Sequence, residues 1–265
     1  VTASEGRVKV SDGNEIAYRV DGRDDGAAPV LVMAHSIGTS RALFEPVVAA
    51  LAAKLRVLRY DGRGHGASSV PTGDYGLDRL ALDALDLLDG LSLERVHFLG
   101  LSLGGAVGQA VASRAPSRID KLILANTSAY FGPPSSWEQR RTTVRAQGMS
   151  GMVAGTVERG LTAGFTARSP ETVATLRTLL EACPVDGYAG SCAALRDCDQ
   201  RRSIEVITAP TLVIGGAHDP STPPAAAHFL RDHIRGARYA ELEAAHLSCL
   251  EVPDAFAAAV LEFVD

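Results

Sequence analysis

Residues 96–113 read Val-His-Phe-Leu-Gly-Leu-Ser-Leu-Gly-Gly-Ala-Val-Gly-Gln-Ala-Val-Ala-Ser. The apolar run Val96–Leu99 reads as a buried strand, and Leu103–Ser113 as an almost wholly apolar helix. Between them, Gly100-Leu101-Ser102-Leu103-Gly104 matches G-x-S-x-G. In a chain with 26 glycines that pattern is weak alone, since a tight turn with a helix-capping serine also produces it. The strand before and the helix after make it a nucleophile elbow. Such a turn is strained, and flanking Cβ atoms would collide, so glycine is needed at 100 and 104. Gly105 adds room for close helix–sheet packing.

The same alternation extends in both directions. Arg7–Val10 and Ile16–Val20 flank the turn signal Ser11-Asp12-Gly13-Asn14 and read as a hairpin. Val30–Ala34 is a buried strand, Leu43–Leu55 a helix, and Arg56–Tyr60 the next strand. Leu77, Leu80, Ala81, Ala84 and Leu88 fall at helical spacing, with Leu82 as the one misfit. Lys121–Ala125 is another strand. From Thr127 to about Gln200 the rhythm breaks into short, glycine- and proline-punctuated helical patches. Thr211–Ile214 restores the buried-strand pattern. Pro223 starts a helix with Thr222 as its N-cap. Arg238–Leu242 is a last strand, and Asp254–Phe263 a closing helix. The expected fold class is α/β: a mostly parallel sheet flanked by helices, with an inserted helical cap. The expected division is a core of 1–126 and 200–265 and a cap of 127–199.

Composition narrows the function classes. Hydrophobic residues make up 46% and charged residues 22%, which supports a sizeable core and argues against disorder. A net charge of −5 gives no reason to expect nucleic-acid or anionic-membrane partners. Cys183, Cys192, Cys198 and Cys249 have no C-x-x-C spacing and form no disulfide framework. There is no run of about 18 apolar residues and no apolar leader at Val1–Val10, so a cytoplasmic setting is expected. No histidine or cysteine cluster has metal-ligand spacing, and no cofactor is expected.

A nucleophilic serine needs a base, and the base an orienting carboxylate. Asp219 follows the strand Thr211–Ile214, and His246 follows Arg238–Leu242. Both fall at strand C-terminal ends, where active sites of open α/β sheets collect. Ser102, Asp219 and His246 therefore form the expected triad. His218 precedes the carboxylate and breaks that order. His97 reads as structural, and His228 and His233 as surface residues. The loop Asp61-Gly62-Arg63-Gly64-His65-Gly66 reads as the floor of the site, with Asp61 and Arg63 paired. The expected oxyanion donors are the N–H groups of Leu103 and, from the loop after Val30–Ala34, Ile37.

With these residues in hand, the chain resembles α/β-hydrolase-fold enzymes over its whole length. Among them it is most similar to 3-oxoadipate enol-lactonases of the β-ketoadipate pathway of aromatic degradation. The resemblance rests on His-Ser-Ile-Gly-Thr (35–39), Tyr-Asp-Gly-Arg-Gly-His-Gly-Ala-Ser (60–68), Gly-Leu-Ser-Leu-Gly-Gly (100–105), Asn-Thr-Ser-Ala (126–129), Gly-Ala-His-Asp-Pro-Ser-Thr-Pro-Pro (216–224) and Ala-His-Leu-Ser (245–248). Two cap segments are more specific: Val-Arg-Ala-Gln-Gly-Met (144–149) and Gly-Tyr-Ala-Gly-Ser-Cys-Ala-Ala-Leu-Arg-Asp (187–197). The chain departs from the family at His35, where Asn is common, and at Phe44, where Trp is common.

The resemblance implies hydrolysis of a small anionic lactone by Ser102, with Trp137 overhanging the pocket. Whether Ser102 forms an acyl-enzyme or only helps activate water stays open at this level. The substrate's carboxylate calls for a cation, and arginine offers bidentate recognition. Arg140, Arg141, Arg145 and Arg196 of the cap and Arg41 of the oxyanion loop are available. Other esterases, lactonases, carbon–carbon bond hydrolases and perhydrolases share such a triad. A non-catalytic ligand-binding protein of the same fold is a further alternative, but such proteins usually lack a triad member.

Overall fold

The computed structural model describes residues 2–22 and 28–265. Asp12 Oδ1 accepts the Asn14 N–H at 3.1 Å, and Gly13 takes φ 88°, so the Ser11–Asn14 turn closes tightly. It joins β1 (Thr2–Lys9) to β2 (Glu15–Gly22) as an antiparallel hairpin longer than the sequence pattern implies. β2 then pairs antiparallel with β4 (Arg56–Tyr60). From there the pairings are parallel, through β3 (Val30–Ala34), β5 (Val96–Leu101), β6 (Ile119–Ala125), β7 (Thr211–Gly216) and β8 (Arg238–Leu242). The sheet has eight strands in the order β1-β2-β4-β3-β5-β6-β7-β8.

The strands read as continuous apolar runs because both faces of the sheet are covered. Leu31, Met33, Leu99 and Ile123 pack on one side against α1 (Glu45–Ala52) and α11 (Pro253–Val264). Val32, Phe98, Leu122 and Leu124 pack on the other against α2 (Leu77–Gly90), α3 (Leu103–Arg114) and α9 (Pro224–His233). Leu82, the misfit on the α2 stripe, is exposed, as its position requires. Asp83 lies off that stripe yet is buried, because Arg63 reaches it with bonds of 2.6 and 2.7 Å.

Five α-helices lie between β6 and β7: α4 (Pro134–Gln147), α5 (Ser150–Gly160), α6 (Ala163–Arg168), α7 (Pro170–Glu181) and α8 (Val185–Arg196). A short helix, α10 (Ser248–Glu251), follows the loop after β8. An ion network of Asp74, Glu138, Arg141, Arg196 and Asp197 ties α4 and α8 to the loop before α2. No described helix is long and apolar enough to cross a membrane.

Three local expectations need correction. The helix expected over Leu43–Leu55 is a 3-10 turn, Arg41–Phe44, followed by α1, because Pro46 occupies the first turn of a new helix. Asp61 and Arg63 do not pair with each other. Asp61 is bonded to Arg41, and Arg63 to Asp83 and Asp12. Thr222 does not cap α9: the helix begins at Pro224 with Pro223 in the cap position, and Thr222 turns to Asp219 instead.

Candidate active site

β5 ends at Leu101, and Ser102 turns the chain into α3 with φ 58° and ψ −114°. A positive φ is costly for a residue with a side chain, and such strain is tolerated where function uses it. The neighbouring glycines are sterically required. A Cβ on Gly100 would sit 2.1 Å from the Gly104 carbonyl oxygen, and one on Gly104 would sit 2.0 Å from that of Ala34.

The loops after β7 and β8 bring two further side chains to this turn. His246 Nε2 lies 2.9 Å from Ser102 Oγ, and His246 Nδ1 lies 2.8 Å from Asp219 Oδ2. All three residues are buried. Asp219 accepts the backbone N–H groups of Ser221 and Thr222 at 2.8 and 3.0 Å and the Thr222 hydroxyl at 2.8 Å. Burial alone would raise its pKa. The adjoining His246 and the Thr222 donors outweigh that, and the carboxyl is held below the usual carboxylate range. An ionised Asp219 accepting from Nδ1–H leaves Nε2 free to accept the serine proton.

Asn126, just past β6, binds these loops together. Its Nδ2 donates to Asp219 Oδ2 and to the Ala245 carbonyl, both at 3.1 Å. Its Oδ1 accepts the Ser248 hydroxyl at 2.6 Å. Its φ of 43° lies in the left-handed region, which asparagine tolerates better than most residues. Glu251 anchors the same loop from α10, accepting the Ala245 N–H at 3.0 Å. It also accepts the Thr162 hydroxyl, tying the His246 loop to the α5–α6 junction.

The loop after β3 lies over the start of α3. The N–H groups of Ile37 and Leu103 have no acceptor among the described residues. The Gly104 N–H donates to the His35 carbonyl at 3.1 Å, so the two segments are fixed against each other. The Gly38 N–H donates to His65 Nε2 at 3.0 Å, and the Gly62 N–H to His35 Nε2 at 2.9 Å. Each imidazole therefore carries its proton on Nδ1, which faces a carbonyl oxygen: Ser36 for His35 and Arg63 for His65. Burial pushes both histidines down, His65 to about 3 with the help of neighbouring His35. The loop expected as the site floor does not line the cavity onto which Ser102 opens; instead His65, with His35, braces the loop after β3 from behind as a buried neutral imidazole.

Ser102, His246 and Ile37 open onto a cavity of about 200 Å³. Trp137 and Arg140 of α4 line it, and the Arg140 guanidinium lies 4.6 Å from the Trp137 ring. The other expected cations are elsewhere. Arg41 donates from its backbone and Nη1 to Asp61 at 2.8 and 3.0 Å. Arg196 is spent on Asp197, Glu138 and Asp74, and Arg141 on Glu138 and Asp74. Arg145 is exposed on α4 and does not line the cavity.

Sequence reasoning missed Arg159 of α5 and Tyr188 of α8, which also line the cavity. Nothing local to Glu-Arg-Gly (158–160) marks Arg159, because only tertiary packing turns it inward. Asn126 was more accessible: an asparagine immediately after a buried strand signals a left-handed turn residue with a side chain free to brace the loops.

The sequence profile of the alpha/beta hydrolase fold family matches residues 29–253. The chain is 40% identical to 3-oxoadipate enol-lactonase 2 of Acinetobacter baylyi, over 88% of this chain and 87% of that one. The crystal structure of the enol-lactonase from Burkholderia xenovorans LB400 superposes with a TM-score of 0.95 at 40% identity, covering 98% and 99% of the two chains. That of a hydrolase from Pseudomonas aeruginosa PA01 gives 0.94 at 45% identity, covering 98% of each.

Proposed function

The chain belongs to the alpha/beta hydrolase fold family and is a carboxylic ester hydrolase, and on that premise we propose that it hydrolyses 3-oxoadipate enol-lactone to 3-oxoadipate. That reaction belongs to the β-ketoadipate route of aromatic breakdown. The reading is carried by the hydrogen-bonded relay from Ser102 through His246 to Asp219 at the edge of a small cavity. Likeness to two enol-lactonases over nearly the whole chain supports it. The cavity, about 200 Å³, is smaller than the ~300–1,000 Å³ common for drug-sized ligands, which favours a compact acid over a long-chain ester.

In this reading His246 Nε2 takes the proton of Ser102 as its Oγ attacks the lactone carbonyl. The tetrahedral oxyanion is held by the N–H groups of Leu103 and Ile37, and losing one such donor costs ~10²–10³ in turnover. The ring opens as the C–O bond breaks. The leaving enolate oxygen, still tethered to the acyl group, takes the proton from His246 Nε2, and the enol tautomerises to a ketone. His246 then removes a proton from water, whose oxygen attacks the acyl–Ser102 carbonyl. The acid is released and Ser102 regains its proton. The inserted helices act as the cap over this chemistry. All four cysteines are buried free thiols, which suits a cytoplasmic setting.

The test is an absorbance assay that follows loss of the enol-lactone. The proposal expects kcat/KM for this lactone well above that for simple aryl esters. Equal or greater turnover of the aryl esters would contradict it.

A further inference from the structure

Arg159 stands near the C-terminal end of α5 and faces the cavity that Arg140 faces from α4. Among the described residues neither guanidinium has a carboxylate within ion-pair distance, whereas nearby Arg141 and Arg196 are each paired with carboxylates. The adjoining Glu158 is exposed and does not line the cavity. The absence of a Cβ at Gly155 leaves room for the Arg159 side chain, since one built there would lie 3.0 Å from Nη1. Arg140 is held by the Trp137 ring and by contact with the Tyr188 hydroxyl.

Two half-buried cations on one wall are unfavourable without an anion between them. Burial, and after it the charge of Arg140, pull the Arg159 pKa below its ordinary value. Among the described residues no carboxylate supplies that anion, which leaves the place to a ligand. A carboxylate has two oxygens and about four lone-pair sites, enough to accept from both guanidiniums at once. The hydroxyls of Ser136 and Thr156 line the same cavity.

We propose that Arg140 and Arg159 form a two-cation carboxylate subsite that selects small lactones and esters bearing a free carboxylate over their uncharged counterparts. The catalytic part of this statement rests on the hydrolase reading above; the anion-binding part does not. The subsite also answers the overall charge of −5, which would otherwise repel such a substrate.

Two measurements on wild type, Arg159→Gln and Arg159→Lys test it, with a thermal melt to verify folding. The first compares kcat/KM for the carboxylated enol-lactone with that for its methyl ester. Arg159→Gln should lower this selectivity ratio by about 10- to 100-fold, chiefly through KM, as loss of a charge-assisted bond predicts. Arg159→Lys should recover part of it. The second measures calorimetric binding of glutarate against its uncharged diamide, which needs no turnover. Wild type should prefer glutarate, and Arg159→Gln should lose most of that preference. An unchanged ratio and unchanged glutarate preference in Arg159→Gln would overturn the subsite while leaving the lactonase reading intact. Wild type that fails on the enol-lactone yet binds glutarate through Arg159 would sink the lactonase reading and uphold the subsite.

Discussion

Asn126 donates from Nδ2 to Asp219 Oδ2, the same oxygen that faces His246 Nδ1. One side chain thus braces Asp219, while its second bond, to the Ala245 carbonyl, braces the residue before His246. Asn126→Gly keeps the left-handed backbone accessible and deletes only the side chain. It should destabilise the fold by about 1–3 kcal/mol, since buried partners lose their bonds. It should also lower kcat roughly 10-fold or more with little change in KM, because misplacing a catalytic group slows chemistry rather than binding. Denaturant melts and steady-state kinetics on the same samples check this. A fully active Asn126→Gly would mean that the relay needs no such brace.

Asp219→Asn tests the orienting role itself. The isosteric amide can keep the packing but favours the wrong imidazole tautomer, and in comparable triads that costs ~10⁴ in kcat. The expected result is a folded protein with that order of loss. Retention of more than about a tenth of wild-type kcat, against the ~10⁴ loss expected, would remove Asp219 from the relay.

The His65–Gly38 bond predicts both a rate effect and a pH effect. Gln at 65 can offer its Oε1 near the Nε2 position, whereas Leu offers no acceptor. His65→Leu should therefore lose about 10- to 100-fold in kcat through a loosened oxyanion loop, and His65→Gln should recover most of it. Equal activity in both variants would assign His65 to packing alone.

His65 is neutral in the fold down to about pH 3, while in the unfolded chain it takes up a proton below about 6.5. Its stabilising contribution is therefore complete above about 6.5 and declines as pH falls from there toward about 3. Between pH 6 and 4, the stability of wild type relative to His65→Gln should fall by up to about 1.4 kcal/mol per pH unit. Denaturant melts across that range measure the slope difference; parallel slopes would mean that His65 titrates normally in the fold.

The strand–helix alternation and the elbow were legible in the sequence because their signals are local. Apolar runs mark strands covered on both faces, and Gly100 and Gly104 answer contacts with residues close in the chain or on the next strand. The order Ser102, Asp219, His246 was legible because each follows a recognisable strand. Arg159 was not, since its place in the cavity depends on how α5 packs against α4 and the His246 loop. Arg41 and Arg196 illustrate the converse: their position near the site in sequence suggested substrate contact, but Asp61, Glu138 and Asp197 claim them first. Thr222 resembled a helix cap because a hydroxyl before two prolines fits that pattern, while the carboxylate it serves is only three residues away.

The central claim is that Ser102 Oγ attacks the lactone carbonyl. The most direct measurement is single-turnover and steady-state loss of 3-oxoadipate enol-lactone, followed by absorbance on wild type beside Ser102→Ala. Removing the nucleophile of such a relay typically costs on the order of 10⁴-fold or more in kcat, with the fold intact. A loss of that order is expected, and near wild-type turnover in a folded Ser102→Ala would contradict nucleophilic attack by Ser102.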